Sequence, residues 1–215
     1  MKIKAFVLHH TATPTGKVGD GSDLVETLAR LAKEKSQGRF SHYYHTLIGP
    51  GGKVFSPLSW DQVAPHCGID RGDPIQDPSG VCNQNSIALC CIGNFDQETM
   101  PEAQYQSLLK ICVHAKEQHP DAFFKLHRDL VATQCPGRNF PFQRLFDELQ
   151  HRLKNPSRDP AKDIPSGAWF ENAVHFCISR NVLSCDSEGR FRPLAPVNRA
   201  ELAQALMNLI KGLNG

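Results

Sequence analysis

The chain has no long apolar run, no block of like charge and no paired-cysteine pattern, and each absence removes a class of protein. No stretch reaches the about 18 consecutive apolar residues that a membrane span requires, so no crossing is expected. Lys and Arg total 24 against 22 Asp and Glu, a formal net charge of +2, and they are scattered rather than gathered into an arm or stripe. Nucleic acid is therefore not an expected partner. The 8 cysteines stand at irregular intervals without a repeated C-x-x-C pair, which argues against a disulfide framework. Cys67, Cys82, Cys90, Cys91, Cys112, Cys177 and Cys185 are expected as reduced, small core residues. Met1 to Ala5 leads straight into an apolar strand with no signal-peptide h-region, so synthesis in the cytoplasm without that export signal is the expectation.

What is present is chemistry concentrated in a few short stretches. At 215 residues, 40% hydrophobic and 21% charged, the composition is that of a soluble globular protein, with room for one medium domain and a small companion. The stretch Leu126 to Gly137, L-H-R-D-L-V-A-T-Q-C-P-G, sets the imidazole of His127 eight residues ahead of the thiol of Cys135. Pro136 and Gly137 then turn the backbone. Imidazole and thiolate are donors that zinc prefers, and a catalytic zinc keeps three protein ligands with one position open. A third donor is offered by V-L-H-H-T-A-T, where His9 and His10 end the apolar run Ile3 to Leu8. That run suits a strand buried on both faces. Strand alternation sends the two histidines to opposite faces, so one of the pair suits a metal, and the pattern alone does not choose.

In chain order, Asp23-x-x-Glu26 predicts a capped helix to about Lys35, with Leu24, Leu28, Leu31 and Ala32 on one face. Phe40 to Ile48 reads as a strand containing Tyr44, Gly49 to Gly52 as its turn, and Lys53 to Ser56 as the return. Trp60 to Cys67 opens a Gly-, Asp- and Pro-rich loop to Gly80, of a length that often carries function. Ser86 to Ile92 is a second buried strand. Thr99-x-x-Glu102 is a capping box for a helix bearing Tyr105, Leu108, Leu109, Cys112 and Val113, which stops near His119-Pro120. Phe123 to Leu126 delivers His127 as a short strand, and Phe142 to Leu153 is a helix with Leu145, Phe146 and Leu149 inward. The alternation predicts an α/β fold, a mixed central β-sheet covered by helices, over residues 1–153. Residues 154–163 read as a linker, and 164–215 as a small C-terminal helical domain. Its helices are Trp169 to Arg180 and one capped by Asn198-x-x-Glu201 that carries Leu202, Leu206, Leu209 and Ile210.

Four motifs, V-L-H-H-T-A-T, Tyr44-His45 with its Gly-Gly turn, Asn85-Ser86-Ile87 and L-H-R-D-L-V-A-T-Q-C-P-G, occur in an order that resembles one family. It is the zinc N-acetylmuramoyl-L-alanine amidases, which include phage lysozyme-type amidases and peptidoglycan recognition proteins. The resemblance spans about Lys4 to Leu153 and implies zinc as cofactor, held by His9, His127 and Cys135, the first histidine of the pair being the ligand. It implies a catalytic phenol at Tyr44 and a substrate-side histidine at His66, with His45 and Asn85 as further substrate-binding candidates. Some members keep a lysine two residues before the cysteine. Thr133 stands there and is read as a weaker oxyanion or water-positioning donor, while Asp129 is read as a structural acceptor. The implied reaction is hydrolysis of the amide between the lactyl group of N-acetylmuramic acid and L-alanine in peptidoglycan.

Residues 164–215 resemble a single S-layer homology repeat through W-F-E-N-A-V-H-F, G-R-F-R-P and N-R-A-E-L. Such repeats anchor proteins to cell-wall polymers, so peptidoglycan and a secondary cell-wall polymer are the implied partners. The usual threonine before Arg-Ala-Glu is replaced by Asn198, which keeps a capping side chain. A lytic enzyme without a signal peptide and with a wall module resembles a phage or prophage endolysin, released by a separate holin-type pore. Two other readings compete. One is a module that binds peptidoglycan without cleaving it, in which relatives typically lose metal ligands, commonly the cysteine. The other is a structural zinc closed by a fourth ligand, His66 or His45.

Overall fold

The computed structural model describes residues 2–67, 79–154, 163–165, 168–179, 182–186 and 188–213. Most of the expected linker 154–163, and positions 68–78 of the loop after Cys67, lie outside the described residues. The chain divides into two compact units, Met1–Leu145 and Phe146–Gly215.

The first unit is built on a five-stranded sheet. Strands β1 (Ala5–His10) and β4 (Ser86–Cys91) are buried along their whole length, as their apolar runs require of central strands. They pair in parallel, and with β2 (Thr46–Ile48), β3 (Val54–Phe55) and β5 (Phe123–Leu126) give the order β3-β2-β4-β1-β5. Only the edge strand β3 is antiparallel, closing a hairpin on β2 through Gly49 and Gly52. The sheet is thus mixed, and the carboxyl ends of β1, β2, β4 and β5 emerge together. Ligand sites of α/β sheets form at that end.

Helices α1 (Ser22–Lys35) and α2 (Glu102–Gln118) bury apolar stripes. Leu24, Val25 and Leu28 of α1 pack on Leu47, Cys90 and Ile92, whereas α2 turns Tyr105, Leu108, Leu109 and Cys112 inward. Another cluster, Ala5, Val7, Cys67, Val81, Leu130 and Val131, lies on the His9 side of β1. Two short elements follow β5: α3 (His127–Leu130) and α4 (Phe142–Lys154).

Four local expectations change. Helix α1 is not capped by Asp23; it begins after Gly21, and Asp20 accepts the Ser22 amide (2.9 Å) while holding Lys53 (2.7 Å). The strand expected from Phe40 shrinks to Thr46–Ile48, so Tyr44 sits in a loop. The reason is that the Ala88 amide, the next donor along β4, is taken by the Nδ1 atom of His45 (3.0 Å), while Phe40 is held by the Ser36 hydroxyl. Thr99 does not cap α2. Pro101 precedes it, and Glu102 grips Arg144 with both oxygens at 2.8 Å. Finally, Phe146 is exposed, while Leu145 and Leu149 are buried.

In the second unit, α5 (Glu171–Ser179) is shorter than expected and leaves Trp169 outside it and 92% exposed. Val174 and Ile178 pack with Ile164, Phe170, Cys185 and Phe191. Asp163 pins the turn by accepting the amides of Phe191 (2.8 Å) and Arg192 (2.7 Å). Helix α6 (Arg199–Leu213) opens with a reciprocal capping box: the Asn198 side chain accepts the Glu201 amide (2.9 Å), and Glu201 accepts that of Asn198 (3.0 Å).

Candidate metal centre

Three donors converge beyond the carboxyl end of β1. His9, His127 and Cys135 each offer a ligand atom within 4.8 Å of the others, two of them buried and the thiol half-buried. His9 turns Nδ1 toward the Cys135 sulfur at 3.8 Å, and its ring centre lies 4.5 Å from that of His127. Tetrahedral zinc with bonds of ~2.0–2.3 Å sets its donors roughly 3.3–3.8 Å apart. A small contraction of this cluster meets that spacing, and two imidazoles with one thiol are a donor set suited to zinc.

Each donor is fixed by local structure. His9 is the penultimate residue of β1, paired in register with Cys90 of β4. Its neighbour His10 points to the opposite face, where Nδ1 accepts the Phe95 amide (3.2 Å) and the ring packs on Phe95. The backbone amide of His10 still serves the site by donating to the Cys135 sulfur at 3.3 Å. His127 follows β5 directly, and Asp129 accepts the Leu126 amide (2.8 Å), so that carboxylate shapes the turn.

Cys135 is carried on a loop tied to α3. The Arg128 amide donates to the Cys135 carbonyl (2.9 Å), and its guanidinium to the Gly137 carbonyl (3.0 Å). Gly137 adopts φ +98°, and a Cβ there would lie 2.4 Å from the Phe95 carbonyl carbon. No other residue allows that approach.

Burial, then the neighbouring imidazoles of His127 and His66, hold His9 well below the usual histidine range. Burial pushes the Cys135 thiol up to about 12, although the His10 amide opposes the shift. His9 and Cys135 are therefore neutral on their own, and ligation of a dication would expel the thiol proton.

The other residues singled out from the sequence fall into three groups. Tyr44 and Thr133 are beside the cluster. The Tyr44 ring is 5.3 Å from that of His9 and its side chain hydrogen-bonds the Cys90 thiol, while the Thr133 hydroxyl accepts the Cys135 amide at 3.3 Å. His66 and His45 lie behind it. His66 is buried, with Nδ1 3.1 Å from His9 Nε2 and Nε2 3.2 Å from the Ser86 hydroxyl. Burial and His45 pull His66 down to about 3. His45 is fully buried, spanning the Gln62 carbonyl (3.0 Å) and the Ala88 amide. Both nitrogens are used, which suits a strut and leaves neither facing a ligand.

Asn85 is not brought to the site. It closes the turn before β4 through Cys82 and Gly80, at the opposite end of the sheet from His9, whose partner in register is Cys90. Sequence reasoning missed Ser86 and the His10 amide. Among the described residues the cluster holds three donors, without the fourth that a closed structural zinc requires.

Residues 1–138 match the family model described as N-acetylmuramoyl-L-alanine amidase. The chain belongs to that family. Residues 162–203 match the S-layer homology domain. Among curated relatives, an endolysin of Klebsiella phage KP32 is 28% identical over 119 residues, covering 53% of this chain and 70% of the relative. A peptidoglycan-recognition protein of Drosophila simulans is 27% identical over 152 residues, covering 69% of this chain and 73% of the relative. Of solved structures, the N-acetylmuramoyl-L-alanine amidase LysC from Clostridium intestinale URNW superposes with a TM-score of 0.53 at 22% identity, over 70% of this chain and 87% of its own. Drosophila peptidoglycan recognition protein SD gives 0.52 at 23% identity, over 66% and 79%. These likenesses concern the fold, which in this chain is a five-stranded mixed sheet covered by helices. No helix among the described residues is long and apolar enough to cross a membrane.

Proposed function

We propose that this amidase cleaves the bond between the lactyl group of N-acetylmuramic acid and L-alanine, using zinc held by His9, His127 and Cys135. The observation that carries the reading is the convergence of those three donors within 4.8 Å. When bound, the metal supplies Lewis acidity and a water that ionises near neutral pH. The remaining work belongs to the chain. Tyr44 is the candidate donor to the oxyanion that develops as the amide carbonyl becomes tetrahedral, where a fixed donor gains most. Thr133 keeps its hydroxyl hydrogen while its oxygen accepts the Cys135 amide, which makes it a second candidate donor. A neutral hydroxyl in place of a lysine lowers the expected rate and leaves the reaction type unchanged. The His10 amide steadies the sulfur in its ionised form.

We assign residues 1–153 to catalysis and 164–215 to binding a cell-wall polymer, with 154–163 joining them. Support comes from the separate family matches at 1–138 and 162–203. A tethered wall module raises the local concentration of enzyme at a polymeric substrate. Lysis of a host wall, as an endolysin performs it, is the setting that fits both parts, and the Klebsiella phage relative supports it.

Digestion of purified peptidoglycan tests the reaction. New L-alanine amino termini without new reducing sugars are expected; reducing sugars alone, or binding without any product, would overturn the proposal.

A further inference from the structure

Behind the metal cluster lies a polar chain that runs into the core, and its hydrogen-bond directions can be resolved atom by atom. It starts at the Cys82 carbonyl, which can only accept. The Ser86 hydroxyl donates to it at 2.7 Å, so that hydroxyl's hydrogen is committed. Ser86 Oγ is also 3.2 Å from His66 Nε2, and can take part there only as acceptor. His66 must then carry its proton on Nε2, leaving a lone pair on Nδ1. That lone pair faces His9 Nε2 at 3.1 Å and accepts its N–H. His9 in turn keeps its lone pair on Nδ1, the nitrogen that faces the Cys135 sulfur.

We propose that His66 and Ser86 are positioning residues that set the tautomer and ring orientation of His9, so that Nδ1 is presented to the metal. This rests on the metal-centre reading above. It gives His66 a role different from the substrate contact that the family resemblance implies, since a buried ring bonded on both nitrogens is closed to a substrate. The supporting frame is itself pinned. The Asn83 carboxamide oxygen accepts the amides of His66 (3.1 Å) and Cys67 (2.8 Å), fixing the backbone from which His66 projects. Cys67 competes, its sulfur lying 3.4 Å from His66 Nδ1, 3.7 Å from His66 Nε2 and 3.5 Å from the Ser86 hydroxyl. A thiol is a weak donor beside an imidazole N–H, so His9 holds the Nδ1 lone pair. Outer partners of this kind orient ligating histidines, and their loss typically costs roughly 10–100-fold in metal affinity.

Two measurements test the proposal on the full chain. Nitrogen-detected NMR of the metal-free wild type with labelled histidine reads the tautomers directly: His9 and His66 are both expected protonated on Nε2. A proton on Nδ1 of either ring would overturn it, whether or not zinc binds. Zinc affinity, by competition with a chromophoric chelator, is then compared across variants. His66→Leu should lose roughly 10–100-fold, Ser86→Ala less, and His66→Asn, which restores an acceptor near the Nδ1 position, should recover most of the loss. Equal affinity in His66→Leu and wild type would sink the proposal while leaving the metal centre standing. A wild type that binds no zinc would sink the metal centre instead, with the tautomers still deciding the relay. If His66→Leu does not fold, the wild-type tautomers and Ser86→Ala carry the decision.

Discussion

The two compact units put their side chains to opposite use. In Met1–Leu145 the interior holds histidines: His9, His45, His66 and His127 are all buried, and their rings follow one another, His45 to His66, His66 to His9 and His9 to His127. In Phe146–Gly215 the surface holds hydrophobics: Trp169, Leu202, Leu206 and Ile210 are about half exposed or more. A buried imidazole costs stability unless hydrogen-bonded, and His9, His45 and His66 each meet partners there. Apolar side chains left in water mark surface available to bind. The contrast fits the proposal that the first unit carries the reaction and the second binds the wall.

The largest effect should come from the donors themselves. Cys135→Ala removes a ligand and is expected to lower zinc affinity by at least ~10-fold, the smallest loss typical even of an outer partner. His10→Ala, on the other face of the same strand, should bind zinc nearly as well as wild type. Chelator competition ranks the two, and the reverse order would mean that the wrong face was chosen. Next, Tyr44→Phe should keep zinc and fold but lose roughly 10²–10³ in turnover on a soluble muropeptide, the usual cost of deleting an oxyanion donor. Unchanged turnover would demote Tyr44 to packing against Cys90.

Deleting most of the second unit, residues 155–215, sharpens the contrast itself. A chain ending at Lys154 should cleave a soluble muropeptide at close to the wild-type rate yet lose most of its activity on intact walls. Equal loss on both substrates, with a lowered melting temperature, would mean that those helices serve stability alone.

Smaller effects concern the frame. Gly137→Ala should cost about 1–3 kcal/mol for the backbone conformation alone, before its clash with Phe95 is counted, and thermal unfolding measures it. Glu98 offers the pH test. Burial pushes its carboxyl up, but the amides of Asn94 and Thr15 and the Thr15 hydroxyl outweigh burial and hold it below the usual range. Its contribution is therefore present above the unfolded value of ~4.3 and is lost as pH falls through the lower folded value. The gap in melting temperature between wild type and Glu98→Gln should be open at pH 7 and narrow steadily as the pH falls below ~4.3. A gap that persists there would remove the charge from the explanation.

Much of this was legible before any coordinates. The central strands were, because Ile3–Leu8 and Ser86–Ile92 are unbroken apolar runs. The three donors were, because separated motifs named them. Helix starts were less so: Asp23 and Thr99 match a capping pattern that Asp20 and Pro101 displace, whereas the same pattern at Asn198 forms as written. The length of β2 depended on a side chain, since His45 takes an amide that a strand would have used. The partners of His9 were illegible for a related reason. His66 reads by resemblance as a substrate-side histidine and Ser86 as a strand residue, and only packing joins the two to each other and to His9.

The most direct test of the central claim is metal removal and return. After exhaustive chelation, release of L-alanine amino termini from peptidoglycan should vanish, and one equivalent of zinc per chain should restore it in wild type but not in Cys135→Ala. Full activity in metal-free protein would contradict the account.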